Sequence, residues 1–433
     1  MLPRADSALV ARDPGVPGLA LLLDGDRLAD WLSHRLGEEL RARPRYLRYK
    51  PGTSAVMAVD VRPADRGTSA PACASPPSTV LLRAYAPAGA AKLVKSLEQA
   101  PGAALIAVDR PLLTLATTTA ADRDLPALAL LADPRRRPAL LGRVLGTDGA
   151  DREASAPAGE PSLRTLAYKP HRRWVGALST GDDEVVLRAY RPADLLRATD
   201  PVRALAAGDP ATPRILGRHR RSGLAALEFV PGEPVGADAP GATLGAVGAA
   251  LGAFHAHRLV LPQRGPRGEA AAVARAVRDV ARLLPEQADR ADRLAARVLD
   301  RLGRLPATPS VTVHGDFSLD QVVLLRSGEV GILDLDRVGT GPAEIDLASL
   351  LAEALLRPGA PGDADALLEG VLAGYGPSPV DRSAVSTHLA AQLLRRAAEP
   401  FRTRQAAWAD AVGRVLDHAE RALRASAPAG APA

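Results

Sequence analysis

A chain of 433 residues, 47% hydrophobic and 24% charged, is globular and too long for one ordinary core, so two or three domains are expected. Its net charge of +6 comes from arginines interspersed with acidic residues, and aromatics make up only 3%, which speaks against a nucleic-acid surface. The single cysteine, Cys73, rules out an intrachain disulfide, and neither an apolar leader nor a run of about eighteen apolar residues is found, so a cytoplasmic protein with no membrane span is expected.

The segment LADWLSHRLGEEL places Leu28, Trp31, Leu32, Leu36 and Leu40 on one face, a helical pattern. Strand-like RYLRYKP and SAVMAVDVR follow, then a Pro/Ser/Ala-rich stretch over 62–78 that reads as a surface loop. STVLLRAYAP then reads as a strand and AGAAKLVKSLEQA (88–100) as a helix. This pattern recurs. LRYKPGTSAVMA (47–58) matches LAYKPHRRWVGA (166–177), and VLLRAYAPA (80–88) matches VVLRAYRPA (185–193), so a small β-rich unit is expected twice. Between the copies lie more strand-like sequence, AALIAVDRPLLTLATTT and ALLGRVLGTDG, and a polar linker over 150–162. RILGRH and GLAALEFVPGEPV supply two further strands, and from about residue 240 the pattern is helical except for one stretch. The expectation is an α+β chain: an N-terminal cap subdomain (1–150), a β-rich lobe (151–235), a helical lobe (236–425) and a disordered tail (426–433). A nucleotide would sit in the cleft between the lobes.

The chemistry concentrates in the exceptional stretch, 311–348. Three short apolar runs, 311–313, 322–325 and 330–333, read as strands, with His314-Gly315-Asp316, Gln321, Asp334 and Asp336 at their ends. A carboxylate, a carbonyl side chain and a second carboxylate so placed suit Mg²⁺, which takes oxygen ligands and keeps waters for phosphates to replace. The first aspartate is then free to act as base toward a hydroxyl, the set of parts for phosphoryl transfer to an alcohol. His255 and His257 lie on an Ala/Leu-rich helix without Cys or Glu at metal spacing and read as packing residues.

His-Gly-Asp, a carbonyl side chain five residues on, an Asp closing an apolar strand, and Asp346-Leu-Ala beyond it resemble the aminoglycoside phosphotransferase and choline kinase-like superfamily. Where that superfamily usually has Asn, this chain has Gln321, in which it resembles maltokinases. The wording HGDFSLDQVVL and ILDLDR is most similar to the bacterial glucosamine kinases related to maltokinases. The resemblance implies a protein-kinase-like bilobal fold behind an N-terminal cap, with ATP as co-substrate and Mg²⁺ as cofactor. By the same resemblance, Asp316 is the catalytic base beside the acceptor hydroxyl, and Gln321 and Asp334 hold the metal. Asp336 either shares the metal or pairs with Arg337. His314 supports the loop backbone, and Asp346 hydrogen-bonds it. Such a β lobe presents a Lys to the phosphates from its third strand. Here EVVLRAY puts Arg188 there, with Lys169 as second candidate. PHRRW replaces a glycine-rich loop, with Arg172 and Arg173 either gripping phosphate or forming an exposed turn. Glu228, Phe229 and Val230 are the expected adenine hinge. For the acceptor the candidates are Asp320, Glu399 and Trp408. Glu399 takes the sugar ammonium or pairs with an arginine, and Trp408 stacks on a sugar or lies in the core. The expected activity is transfer of the γ-phosphoryl of ATP to the 6-hydroxyl of glucosamine. A maltokinase, an antibiotic phosphotransferase and a non-catalytic pseudokinase-like binding module are the alternatives. ATP and an amino sugar are the expected partners, with no nucleic acid and no membrane. The oligomeric state is open, a monomer being the simpler expectation.

Overall fold

The computed structural model describes residues 2–64, 78–98, 104–146, 162–181, 183–206, 212–264, 266–357, 364–377 and 379–425. Most of the loop expected over 62–78, nearly all of the linker over 150–162, Cys73 and the tail 426–433 lie outside the described residues. The fold class is α+β, as expected, and the chain forms two compact units. The first comprises Met1–Leu196, Ile215–Glu228 and Phe401–Ala406; the second comprises Arg197–Arg214, Phe229–Pro400 and Ala407–Ala433. No helix among the described residues is long and apolar enough to cross a membrane.

The first unit opens with helices α1 (Arg4–Arg12), α2 (Leu19–Leu23) and α3 (Gly25–Leu36). Asp24 caps α3 by accepting from Arg27 N–H, and Gly37, at φ 70°, ends it before Leu40. Strands β1 (Leu40–Lys50), β2 (Ser54–Pro63), β3 (Ser78–Tyr85), β4 (Leu105–Asp109) and β5 (Thr114–Thr118) form an antiparallel sheet in the order β1-β2-β3-β5-β4. Helix α4 (Ala90–Glu98) follows β3, and α5 (Ala127–Ala132) and α6 (Arg137–Leu145) follow β5. A second sheet, β6 (Ser162–Lys169), β7 (Arg173–Thr180), β8 (Asp183–Tyr190), β9 (Ile215–His219) and β10 (Leu224–Glu228), repeats the order as β6-β7-β8-β10-β9. The sequence repeats fall on matching register positions. Arg83 pairs with Val56 in the first sheet as Arg188 pairs with Val175 in the second. Helix α7 (Leu195–Ala206) follows β8 as α4 follows β3.

Both sheets feed one core. Leu81, Leu187, Leu224 and Trp174 pack with Leu125, Leu128, Leu140 and Val144. This explains a departure from expectation. ALLGRVLG reads as strand-like, but α6 covers it, because Leu140, Leu141 and Val144 bury on one helical face and Gly146 closes the helix at φ 74°.

The second unit holds β11 (Glu233–Pro234), α8 (Gly241–Ala256), α9 (Pro266–Leu283) and α10 (Ala288–Arg304) ahead of the key stretch. That stretch forms β12 (Val311–Val313), β13 (Val322–Leu324), β14 (Val330–Ile332) and β15 (Gly339–Gly341), each run folding as the expected strand. Strands β13 and β14 make a hairpin beside β11, and β12 pairs with β15. Helices α11 (Glu344–Leu356), α12 (Ala364–Tyr375), α13 (Arg382–Arg396), α14 (Glu399–Arg402) and α15 (Trp408–Ala425) complete the chain.

Helices α8 and α12 cross backbone to backbone. A Cβ on Gly248 would lie 1.8 Å from the Val371 carbonyl oxygen, and one on Gly374 would lie 1.9 Å from that of Gly245. Gly248→Val is therefore expected to lower stability by about 1–3 kcal/mol or more, read as a lower denaturation midpoint. Gly413→Ala in α15, where nothing lies within 4 Å, is expected to raise stability by about 0.5–1 kcal/mol.

Candidate active site

The end of β12 is held by a buried carboxylate. Asp346, 0% exposed in the first turn of α11, accepts from the backbone N–H of His314 (2.6 Å) and of Gly315 (2.7 Å). It is also 3.1 Å from His255 Nε2, while His255 Nδ1 is 2.5 Å from the Tyr375 hydroxyl. A carboxylate oxygen accepts, so the His255 Nε2–H faces Asp346 while Nδ1 faces the Tyr375 hydroxyl. Burial, then Asp346 and Glu344, push the Tyr375 phenol up to about 12, which keeps it a donor. The α8–α12 crossing thus has a use at the site: it sets His255 against Tyr375. His314 is also buried, and its Nε2 donates to the Leu333 carbonyl at 2.8 Å, tying this loop to the end of β14.

Gly315 adopts φ 80°, where a Cβ would lie 2.6 Å from the Arg337 carbonyl oxygen. Only glycine lets the chain turn there and deliver Asp316. The Asp316 carboxylate is 3.2 Å from Arg337 Nη1 and accepts from Arg396 Nη2 at 2.8 Å. Arg396 is itself oriented by Ser349 Oγ (2.9 Å) and by Gln392 Oε1 (2.5 Å), which also accepts from Arg395 (2.9 Å). Burial pushes the Asp316 carboxyl up, but Arg337 and Arg396 outweigh it and hold it below the ordinary value. The cations compete in turn. Burial, then Arg396 and Arg337, pull Arg395 down to about 10, and burial with Arg337 lowers Arg264. An ionised aspartate set among four guanidinium groups is a place where further negative charge is welcome.

Gln321 and Asp334 are brought together by the hairpin. The N–H of Leu333 donates to the Gln321 carbonyl at 2.8 Å, so Asp334 follows directly beside it. The side-chain Oε1 of Gln321 is buried and has no hydrogen-bond donor among the described residues. Asp334 takes φ 60°, a left-handed conformation uncommon outside glycine. An orphaned amide oxygen and a carboxylate on neighbouring strand ends are the donor types that fit a hard divalent cation. Asp336 lies in the turn that also carries Arg337.

The remaining candidates divide. In the first unit, Arg188 sits mid-strand opposite Val175 and Ala225, and Lys169 lies 5.9 Å from the Tyr46 ring. In the PHRRW turn, Arg172 is exposed, and His171, at φ 61°, is the anchor. Its Nδ1 lies 3.0 Å from Asp122 and 3.1 Å from Asp124. These three could hold a metal ion by their spacing, with both carboxylates already within hydrogen-bond distance of His171 Nδ1. Glu228 ends β10, and the boundary between the two units falls between it and Phe229, ahead of Val230. Asp320 is exposed, accepts from Ser318 Oγ at 2.5 Å and is 3.8 Å from Arg357. Glu399 begins α14. Trp408 requires a correction. It is 1% exposed and offers no face to a sugar, so of the two readings the core one holds.

His255, Tyr375, Ser349, Gln392 and Arg396 have no signal in sequence that marks them as site residues. They come from α8, α12, α11 and α13, far from residue 316 in the chain.

Residues 172–386 match the family model described as the phosphotransferase enzyme family. Comparison with curated proteins finds no match. Among solved structures, the chain is similar to a putative aminoglycoside phosphotransferase from Ralstonia eutropha, at 17% identity over 68% of this chain and 98% of that one, with a TM-score of 0.48. A choline/ethanolamine kinase family protein from Mesorhizobium loti matches at 18% identity over 70% and 97%, TM-score 0.48. An aminoglycoside phosphotransferase from Streptomyces rimosus matches at 20% identity over 60% and 98%, TM-score 0.44. The segment matched by the family model, just under half of the chain, contains Asp316, Gln321, Asp334 and Asp346, and over it the chain is similar to the phosphotransferase enzyme family.

Proposed function

We propose that the protein is an ATP-dependent sugar kinase that transfers the γ-phosphoryl of ATP to a sugar hydroxyl, the 6-hydroxyl of glucosamine being the first choice. The observation that carries this reading is the Asp316 carboxylate, kept ionised by Arg337 and Arg396 and fixed on a loop that Asp346 holds. In this role Asp316 accepts a hydrogen bond from the acceptor hydroxyl, orients it in line, and takes its proton as the bond to phosphorus forms. Its low basicity suits a reaction in which positioning outweighs early proton removal. Gln321 and Asp334, with Asp336 in support, would hold Mg²⁺, which when bound would neutralise phosphate charge. On the nucleotide side we assign Arg188, and secondly Lys169, to the phosphates, and Glu228, Phe229 and Val230 to adenine. Asp320 and Glu399 remain the acceptor contacts. His314 and Asp346 are supports.

One observation favours a second reading of the acceptor. Four arginines around Asp316 disfavour a cationic substrate, and a polycationic aminoglycoside most of all. A neutral sugar such as maltose is the runner-up. The test is ADP release measured with glucosamine, glucose, maltose and aminoglycosides. Turnover with glucosamine above the others supports the first reading. Turnover with maltose alone replaces it with the second, and no ADP release with any sugar removes the kinase reading.

The arginines also set a pH dependence. Because Asp316 is held below its ordinary value, its charge is present above the ordinary carboxylate range and is lost only as pH falls through the depressed value. Arg396→Gln removes one of the opposing charges and is expected to shift the acid limb of kcat/KM upward relative to wild type. An unshifted limb would mean that Arg396 does not set the charge of the base.

A further inference from the structure

The first unit contains a cavity of about 530 Å³ whose lining no part of the kinase reading uses. Its walls converge from separate segments. Arg48 and Lys50 come from β1, Arg83 from β3, Lys92 and Lys95 from α4, and Arg123 from the stretch after β5. Arg191, just past β8, adds a seventh cation. Asp124 is the one carboxylate among the lining residues, and it is already engaged by His171 and Arg191. Among the described residues, Arg48, Lys50, Arg83, Lys92 and Lys95 form no salt bridge. Arg83 is 5% exposed and donates to the Ala121 carbonyl at 2.7 Å, so it is a fixed cation and not a mobile surface chain.

Bringing so many like charges into one concavity costs stability unless a ligand offsets it. The crowding registers in Arg48, whose guanidinium is lowered by burial and then by Arg172 and Arg191. Val56 and Tyr85 line the same space and give it an apolar patch. The volume is that of a small-molecule site, well above what one inorganic ion needs. The duplication adds an independent pointer. Lys50 and Arg83 stand where Lys169 and Arg188 stand in the second sheet, at the same register positions.

We propose that this cavity is a binding site for a small molecule carrying two or more linked phosphate groups, separate from the Asp316 site. The lysines act as point charges, and Arg83 and Arg123 supply forked donors to phosphate oxygens. Inorganic polyphosphate, a nucleoside triphosphate and a phosphorylated sugar share part of this chemistry, and linked phosphates match the spread of the cations best. Binding here is independent of the kinase reading.

The test uses the full chain and calorimetric titration with inorganic tripolyphosphate, ATP and glucose 6-phosphate. The expected result is saturable binding, tightest for the ligands with linked phosphates. Lys92→Ala/Lys95→Ala is expected to weaken that binding by about tenfold or more, with the unfolding midpoint of the free protein unchanged or raised because repulsion is relieved. Lys50→Ala serves as a second, single-site variant and is expected to weaken binding in the same direction. Arg188→Ala, outside the cavity, is expected to leave tripolyphosphate binding at the cavity intact and to change only an ATP event at the other site. Lack of binding by all three ligands overturns the proposal. So does binding to both lysine variants within twofold of wild type. Loss of all tripolyphosphate binding in Arg188→Ala with retention in the lysine variants would also overturn it, by assigning the ligand to the second sheet.

Discussion

Asp316→Asn is expected to reduce phosphoryl transfer by about 10²–10⁴-fold while the protein stays folded and keeps its affinity for ATP. The amide preserves the size of the side chain and leaves one oxygen to accept from Arg396 Nη2, which lies 2.8 Å from the carboxylate. What it loses is the charge that Arg337 and Arg396 hold in place and the capacity to receive a proton. The loss should therefore fall on kcat. The KM for ATP should stay level or drop, because removing one carboxylate leaves the neighbouring arginines less neutralised toward phosphate. Steady-state kinetics on the best sugar checks this. Persistence of turnover within tenfold of wild type would remove Asp316 as the base.

Asp346→Ala is expected to lower stability by about 3–5 kcal/mol and to abolish activity even where the protein remains folded. The carboxylate is 0% exposed and accepts from the His314 and Gly315 N–H groups and from His255. Truncation leaves those donors buried without an acceptor. Asp346→Asn should be less damaging to packing, yet it places an amide N–H where a donor already points. His255→Phe is expected to cost less again, since Asp346 keeps its two backbone donors and loses only the imidazole one, together with the Tyr375–His255 pair. Urea denaturation ranks the three. Equal stability of Asp346→Ala and wild type would show that the loop is held by other means.

Several elements are legible from residue order and spacing alone. The runs over 311–313, 322–325 and 330–333 are short, apolar and bounded by turn residues, and all three are strands. The His-Gly-Asp turn is legible for the same reason. Its glycine serves a backbone angle, and the chemistry is spaced along one local segment. The repeats foreshadow two sheets with one strand order, because equal residues at equal spacing meet the same register constraints. ALLGRVLG misleads because a short apolar run suits a strand or a buried helix equally, and only the shared core in the first unit selects the helix.

What surrounds Asp316 is decided by tertiary structure. Its partner Arg396 is 80 positions away, and His255 lies 91 positions before the Asp346 it supports. No periodicity links residues at such separations. Their meeting depends on the glycine crossing of α8 with α12 and on α13 carrying Gln392 and Arg396 to the loop. Trp408 shows the same limit from the other side, since residue type allows a sugar platform and burial at 1% exposure removes it. The amino-acid sequence by itself determined which polar groups stand at the strand ends, an aspartate, a glutamine and a second aspartate, because local spacing and turn geometry suffice for that. The tertiary structure alone decided the charge around Asp316, because a carboxyl group is held low by whichever cations the fold brings within a few ångströms.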